Sequence, residues 1–247
     1  MRAVVLHSYG GPEVLSIEEV ADPVPGPDEV LVQVAATALN RADLLQRMGL
    51  YPDPRKAQPE IPGLEFAGTV AAVGSRVTMW QVGDRVMGIT AGGAYAERIA
   101  VHERQLLAVP ATMPLTEAAA IPEVFLTAWD ALVLQGGLTS GRWALVHAGA
   151  SGVGTASIQI AKAVGARIAV TCSPGKAALC RSLGADLVFD RSPSDWLAAA
   201  KAAVPAGFDT ILDVVGGEEL DRNLQAVAQR GSIVQVGLMG GGSVQVN

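Results

Sequence analysis

Short apolar runs broken by turn residues fill the first hundred positions, which predicts β-strands rather than helices. Strands are expected at 2–7, 14–20 and 28–39, the last following the Pro-rich stretch PVPGP, and again at 66–73, 85–89 and 94–101. One early helix is expected at 41–48, with Asn40 before it as N-cap. At Pro110 the texture changes. Thr116 is expected to cap a helical stretch from 117 towards 134, interrupted near Pro122 and ended by Gly136, Gly137 and Gly141.

From Arg142 onward, apolar strands and helices alternate. The strands are expected at 143–148, 168–171, 187–189, 210–214 and 233–236, with helices at 153–164, 176–183, 195–203 and 218–229. Such alternation implies a parallel sheet wound by right-handed crossovers, an α/β doubly wound fold of the Rossmann kind. The six-strand form of that fold has the order 3-2-1-4-5-6, and only five strands are found before position 247. The expectation is therefore an incomplete sheet, completed by a partner or belonging to a C-terminally truncated form. The change of texture divides the chain into a β-rich domain at 1–121 and a dinucleotide-binding domain at 122–247.

Composition narrows the function classes. Half of the 247 residues are hydrophobic and 17% are charged, which excludes disorder. A net charge of −6 and a pI near 5.1, with no run of Lys or Arg, argue against a nucleic-acid reader. Mean hydropathy is +0.33, yet no stretch reaches the roughly 18 uninterrupted apolar residues of a membrane span. The first eleven residues lack a signal peptide's apolar core and cleavage site, so a soluble, cytoplasmic protein is expected. Cys172 and Cys180 are the two cysteines, too few for a four-cysteine zinc site or a disulfide framework.

The segment AGASGVG, 148–154, follows the first strand of the alternating half and opens an apolar helix. A dinucleotide pyrophosphate needs a tight turn, a closely approaching backbone and N–H groups at a helix N-terminus. Gly149, Gly152, Val153 and Gly154 supply that turn, with Ser151 where the G-x-G-x-x-G pattern has its second glycine. An NAD site would carry an acid at the end of the second strand to hold the ribose 2′-hydroxyl. Here Ser173 stands there, Lys176 follows, and Arg191 lies just past the third strand. A hydroxyl and two cations suit a 2′-phosphate, so NADPH is the expected cofactor, the alternative being that both cations are ordinary solvated charges. Gly216 and Gly237, at the ends of the fourth and fifth strands, are expected to line the nicotinamide pocket, because ligands bind at the carboxyl ends of such strands. Cys172, beside the ribose position, is either a redox-sensitive thiol or an inert strand-end cysteine.

The motifs GPEVL, NRADLLQR, PEIPGLEFAG, VGDRV, AAAIPEVFLTAW, HAGASGVG, LDVVGG and GLMGGG occur in this order. Together they resemble the zinc-independent, zeta-crystallin-like quinone oxidoreductases of the medium-chain dehydrogenase/reductase superfamily, over the whole chain. The resemblance implies a GroES-like catalytic domain, an NADP-binding domain, a cleft between them and a homodimer. Zinc relatives carry a Cys and a GHE histidine where this sequence has Asn40 and Leu64, neither of which supplies the N or S ligand that zinc prefers, so no metal is expected. Without a metal, a reductase polarises its acceptor with hydrogen-bond donors. Tyr51, a phenol after the NRAD helix, and Ser151 are the candidates, and the resemblance assigns both to the nicotinamide and quinone. Each has a plain alternative, Tyr51 as a packing side chain and Ser151 as a backbone cap. Asn40 and Thr127 look like family contacts to the nicotinamide end, or else a helix cap and an internal helix hydroxyl. Glu123 is given no chemistry. The expected function is an NADPH-dependent quinone oxidoreductase, with an enal or enoyl reductase as the nearest rival. The other alternative is a truncated, weakly active or non-catalytic NADPH-binding protein.

Overall fold

The computed structural model describes residues 1–51, 54, 59–191 and 196–246. The chain forms two compact units, Met1–Glu123 and Val124–Asn247.

In the first unit β1 (Arg2–Leu6) pairs antiparallel with β2 (Leu15–Glu19). A five-stranded antiparallel sheet follows, formed by β3 (Glu29–Thr37), β4 (Glu65–Val73), β5 (Arg85–Ile89), β6 (Arg98–His102) and β7 (Leu106–Ala108) in the order β6-β3-β4-β5-β7. Alternate residues point inward, so Val30, Val32, Phe66, Val70, Val86, Ile99 and Val101 share one core. Helix α1 (Arg41–Arg47) lies between β3 and β4. The three-residue strand β7 falls outside the expected pattern, and β6 begins four residues later than the run from 94 implies.

Pro114, not Thr116, stands at the N-cap of the helix that follows, α2 (Leu115–Ala118). Thr116 is inside this single turn because the chain turns away at Pro122, which opens α3 (Pro122–Trp129). A π-helical segment, Asp130–Gln135, continues α3 and closes before Gly136.

The second unit holds β8 (Trp143–Val146), α4 (Gly152–Ala163), β9 (Arg167–Cys172), α5 (Ala177–Ser182), β10 (Leu187–Asp190), α6 (Trp196–Ala203), β11 (Phe208–Asp213), α7 (Glu219–Ala226) and β12 (Val227–Gln235). The expected start of α6, Asp195, lies outside the described residues. Among the described residues the sheet is parallel throughout, in the order β10-β9-β8-β11-β12. Successive residues of a strand face opposite sides: Val146, Val170 and Leu212 pack with Ile158 and Cys180, while Leu145, Ala169 and Ile211 pack with Trp196 and Leu197. Both faces are therefore covered, as continuous apolar strands require.

The helix expected to run to position 229 stops at Ala226. Val227 already pairs with Phe208, and pairing resumes at Thr210 with Ser232. Residues 228–231 bulge between these pairs, with Arg230 left-handed at φ 65° and Gly231 2.8 Å from the Phe208 carbonyl at its would-be Cβ. Tertiary pairing to β11 thus overrides the helical look of VAQ.

Candidate active site

The carboxyl ends of the second unit's strands open into a cavity of about 490 Å³. Its first wall is the turn after β8. Ala148 is left-handed, at φ 55°, and Gly149 donates its N–H to the Thr171 carbonyl at 2.9 Å. A Cβ on Gly149 would meet Val170 Cβ at 2.4 Å, and one on Gly154 would meet the Ala148 carbonyl oxygen at 2.4 Å. Both glycines are thus set by contact with neighbouring chain. Ser151 is the N-cap of α4, its Oγ accepting from the Gly154 N–H at 3.1 Å. Its hydroxyl proton is not used in that bond. Gly152 and Val153 are the first residues of α4, where the helix dipole favours an anion.

The opposite wall comes from β9 and β10. Ser173, Lys176 and Arg191 all line the cavity. Arg191 donates its main-chain N–H to the Cys172 carbonyl at 3.0 Å and its Nε to Ser173 Oγ at 3.4 Å, so the two strand ends are tied together. Val215, Met239 and Gly240 line it from beyond the ends of β11 and β12, and Trp196 and Glu219 from the first residues of α6 and α7. Gly216 and Gly237 sit beside these residues but outside the lining. Gly216 donates its N–H to Asp213 Oδ1 at 3.0 Å, and Gly237 to the Asp213 carbonyl at 3.3 Å.

A buried polar chain underlies the cavity. Asp213 Oδ2 accepts from Asn223 Nδ2 at 3.0 Å, which leaves Asn223 Oδ1 to accept from His147 Nε2 at 2.7 Å. His147 Nε2 is then the protonated nitrogen, and Nδ1 accepts the Thr171 hydroxyl at 3.0 Å. Trp196 packs edge-on to the His147 ring, with centroids 5.0 Å apart, and donates its Nε1–H to Glu219 at 2.9 Å. The sequence alone presents His147 as a packing residue at the end of a strand. The chain of bonds escapes it because Thr171, His147, Asn223 and Asp213 are joined only by the fold.

The first unit holds a second polar cluster. Asn40 stands at the N-cap of α1, but its side-chain Nδ2 donates to Glu65 Oε1 at 2.7 Å, and its main-chain N–H donates to Asp43 Oδ2 at 2.7 Å. Tyr95 donates its O–H to Asp43 Oδ2 at 2.8 Å, and Glu123 donates its N–H to Glu65 Oε2 at 2.9 Å. Burial pushes the carboxyls of Asp43 and Glu65 above the usual carboxylate range. Burial, reinforced by the charges of Glu65 and Asp43, pushes Glu123 up to about 7. Burial and the neighbouring Asp43 raise the Tyr95 phenol as well. Tyr51 is exposed at the end of this unit's helix-and-turn segment, and residues 52 and 53 of the YPDP motif lie outside the described residues. Thr127 is half-buried in α3, within the second unit. Among the described residues no group of three or more His, Cys, Asp or Glu is arranged to hold a metal, and no helix is long and apolar enough to cross a membrane.

Residues 26–111 match the family of alcohol dehydrogenase GroES-like domains, and residues 152–247 match the zinc-binding dehydrogenase family. The rat synaptic vesicle membrane protein VAT-1 homolog is 33% identical over 96% of this chain and 59% of its own length. The chain thus spans about three-fifths of that relative. Mouse quinone oxidoreductase is 32% identical over 97% of this chain and 74% of its own. The crystal structure of quinone oxidoreductase from Pseudomonas syringae pv. tomato DC3000 superposes with a TM-score of 0.89 at 36% identity, over 99% of this chain and 75% of that one. The CurK enoyl reductase superposes with a TM-score of 0.88 at 32% identity, over 97% and 74%.

Proposed function

This chain belongs to the medium-chain dehydrogenase/reductase superfamily of oxidoreductases, and on that premise we propose that it is an NADPH-dependent reductase that delivers hydride to a quinone-type acceptor without a bound metal. The observation that carries this reading is the convergence of Ser173, Lys176 and Arg191 on the cavity that the turn from Ala148 to Ser151 also lines. The residues fit a dinucleotide. The N–H groups at the start of α4 suit a pyrophosphate, and two cations beside a hydroxyl suit a 2′-phosphate.

A bound reduced nicotinamide supplies the hydride. In this reading Gly149, Ser151, Gly152, Val153 and Gly154 hold the pyrophosphate, and Ser173, Lys176 and Arg191 select the phosphorylated ribose. Gly216, Gly237, Asn40 and Thr127 flank the nicotinamide. Tyr51 and Ser151 donate hydrogen bonds to the acceptor oxygen as negative charge develops on it, and Ser151 retains the proton for that purpose. Zinc does not fit. Leu64 offers no ligand atom, and Asn40 spends its amide on Glu65, so no step runs through a metal. Residues 1–121 act as the catalytic domain and 122–247 as the nucleotide domain, and a cytoplasmic homodimer belongs to the same reading.

The likeness to the CurK enoyl reductase favours a second reading, with a conjugated enal or enoyl thioester as acceptor. One assay separates them. Purified protein is expected to oxidise NADPH in the presence of an ortho-quinone, faster than with NADH and faster than with an α,β-enal. Preference for the enal moves the assignment to the second reading. Dinucleotide binding without turnover on any acceptor makes this a binding protein, and equal use of NADH removes the role given to Lys176 and Arg191.

A further inference from the structure

The walls of the 490 Å³ cavity differ in the hydrogen-bonding groups they offer a ligand. Lys176 and Arg191 are donors, whereas Glu219 is the single carboxylate among the described residues that line it. Glu219 opens α7 and is held from two sides: Trp196 donates its Nε1–H to Oε2 at 2.9 Å, and Arg222 donates to Oε1 at 3.2 Å. A carboxylate oxygen has two lone pairs, so each still has one for a ligand.

The donors around Glu219 are already spent. The Thr171 hydroxyl donates to His147 Nδ1 at 3.0 Å, His147 Nε2 donates to Asn223 Oδ1 at 2.7 Å, and the Trp196 indole donates to Glu219 itself. The main-chain N–H of Val215 goes to Asp213 Oδ1 and that of Gly240 to the Val215 carbonyl, both at 2.7 Å. These residues leave open the acceptor capacity of Glu219 and the apolar side chains of Val215 and Met239. A carboxylate in a cavity that takes a polyanion repels its phosphates, so Glu219 has to face a donor. In a dinucleotide, adenine joins a flat apolar face to an exocyclic amine.

We propose that Glu219 is a specificity-determining residue of this site: its carboxylate accepts a hydrogen bond from the 6-amino group of the dinucleotide's adenine, the ring lying against Val215 and Met239, and so selects a 6-amino purine over a 6-oxo purine. This rests on the cofactor reading above. A 6-oxo base turns a carbonyl oxygen towards the carboxylate, leaving two acceptors face to face with no proton between them. Trp196 is the positioning residue, since its indole fixes Oε2.

The full chain is titrated with NADPH and with deamino-NADPH, in which hypoxanthine replaces adenine, using the nicotinamide fluorescence that both share. NADPH is expected to bind about 10- to 100-fold more tightly, the range for a hydrogen bond to a charged group. Glu219→Gln should shrink that ratio at least fivefold, because an amide can turn its N–H towards the 6-oxo group. Should this variant fold poorly, Glu219→Asp, which keeps the charge but withdraws it by one methylene, should lower the ratio as well. Equal affinities in the parent overturn the role of Glu219 while the cofactor reading stands. A ratio unchanged in the folded variant overturns it too, and if both affinities fall equally the carboxylate serves a sugar hydroxyl or the indole instead. If NADPH does not bind at all, the cofactor reading falls and the base selection with it.

Discussion

Lys176 and Arg191 reach the cavity from different strand ends, and Arg191 Nε lies 3.4 Å from the Ser173 hydroxyl. A phosphate bound there exchanges water for charge-assisted hydrogen bonds, each worth about 1–3 kcal/mol where partly shielded. Lys176→Ala is therefore expected to weaken NADPH binding by roughly 10- to 100-fold while leaving NADH nearly unaffected. Fluorescence titration with both dinucleotides checks this, and an equal loss for the two would make Lys176 an ordinary wall charge. Ser151 needs a different design because its oxygen caps α4. Ser151→Ala removes cap and proton together, with about 1 kcal/mol lost from stability and turnover reduced about 10²-fold if the proton acts on the acceptor. Ser151→Gly removes the hydroxyl proton but suits an N-cap, at about a few tenths of a kcal/mol, so melting temperature should nearly recover while turnover does not. Turnover that recovers with stability would leave Ser151 as a cap alone. Local signals made Ser151, Lys176 and Arg191 legible in the sequence, since each stands at a fixed offset from a strand end. The Asp43, Glu65 and Glu123 cluster gave no such signal: Tyr95 and Asp43 are 52 positions apart, and Glu65 and Glu123 are 58 apart.

At the scale of elements, the turn from β8 into α4 depends on close contact with β9. Gly149→Ala would drive a methyl group to 2.4 Å from Val170 Cβ in a fully buried position. Overpacking of this kind costs about 1–3 kcal/mol, and it should also push the turn out of the cavity wall and weaken dinucleotide binding. Gly149→Ala with Val170→Ala makes room for the added methyl, so chemical denaturation should find the double variant less destabilised than the sum of the single changes. Simple additivity would mean that the contact is not what fixes the glycine. The same dependence on neighbours explains which elements sequence reading recovers. Strands β8 to β11 announce themselves as apolar runs because both their faces are buried. The three residues of β7 carry no periodicity to read. The start of β12 looks like the end of a helix, and only its pairing with Phe208 makes it a strand.

For the whole molecule, each of the two units carries apolar clusters of its own, so ligands of the two units are expected to act on different unfolding transitions. A dinucleotide held in the second unit adds RT ln(1 + [L]/Kd) to that unit, about 2.7 kcal/mol at one hundred times Kd. In a unit of this size that raises its melting temperature by roughly ten degrees. The proton is the corresponding ligand of the first unit. Glu123 sits near 7 in the folded chain against an ordinary 4.5, and Asp43 and Glu65 are displaced in the same direction. The native state therefore binds more protons than the unfolded one across this range, so the protons' contribution is complete below about pH 4.5 and is lost as pH rises through about 7. Solvent reaches part of Glu123, which reduces the effect to on the order of 1–2 kcal/mol. Calorimetry should show the first unit's transition falling as pH rises across that window, while added NADPH moves the other transition. Glu123→Gln removes one titrating group, so its transition should fall less steeply and lie above the parent's on the alkaline side. A first-unit transition that is level from pH 4.5 to 7 would mean that the three carboxyls are solvated well enough to ionise independently.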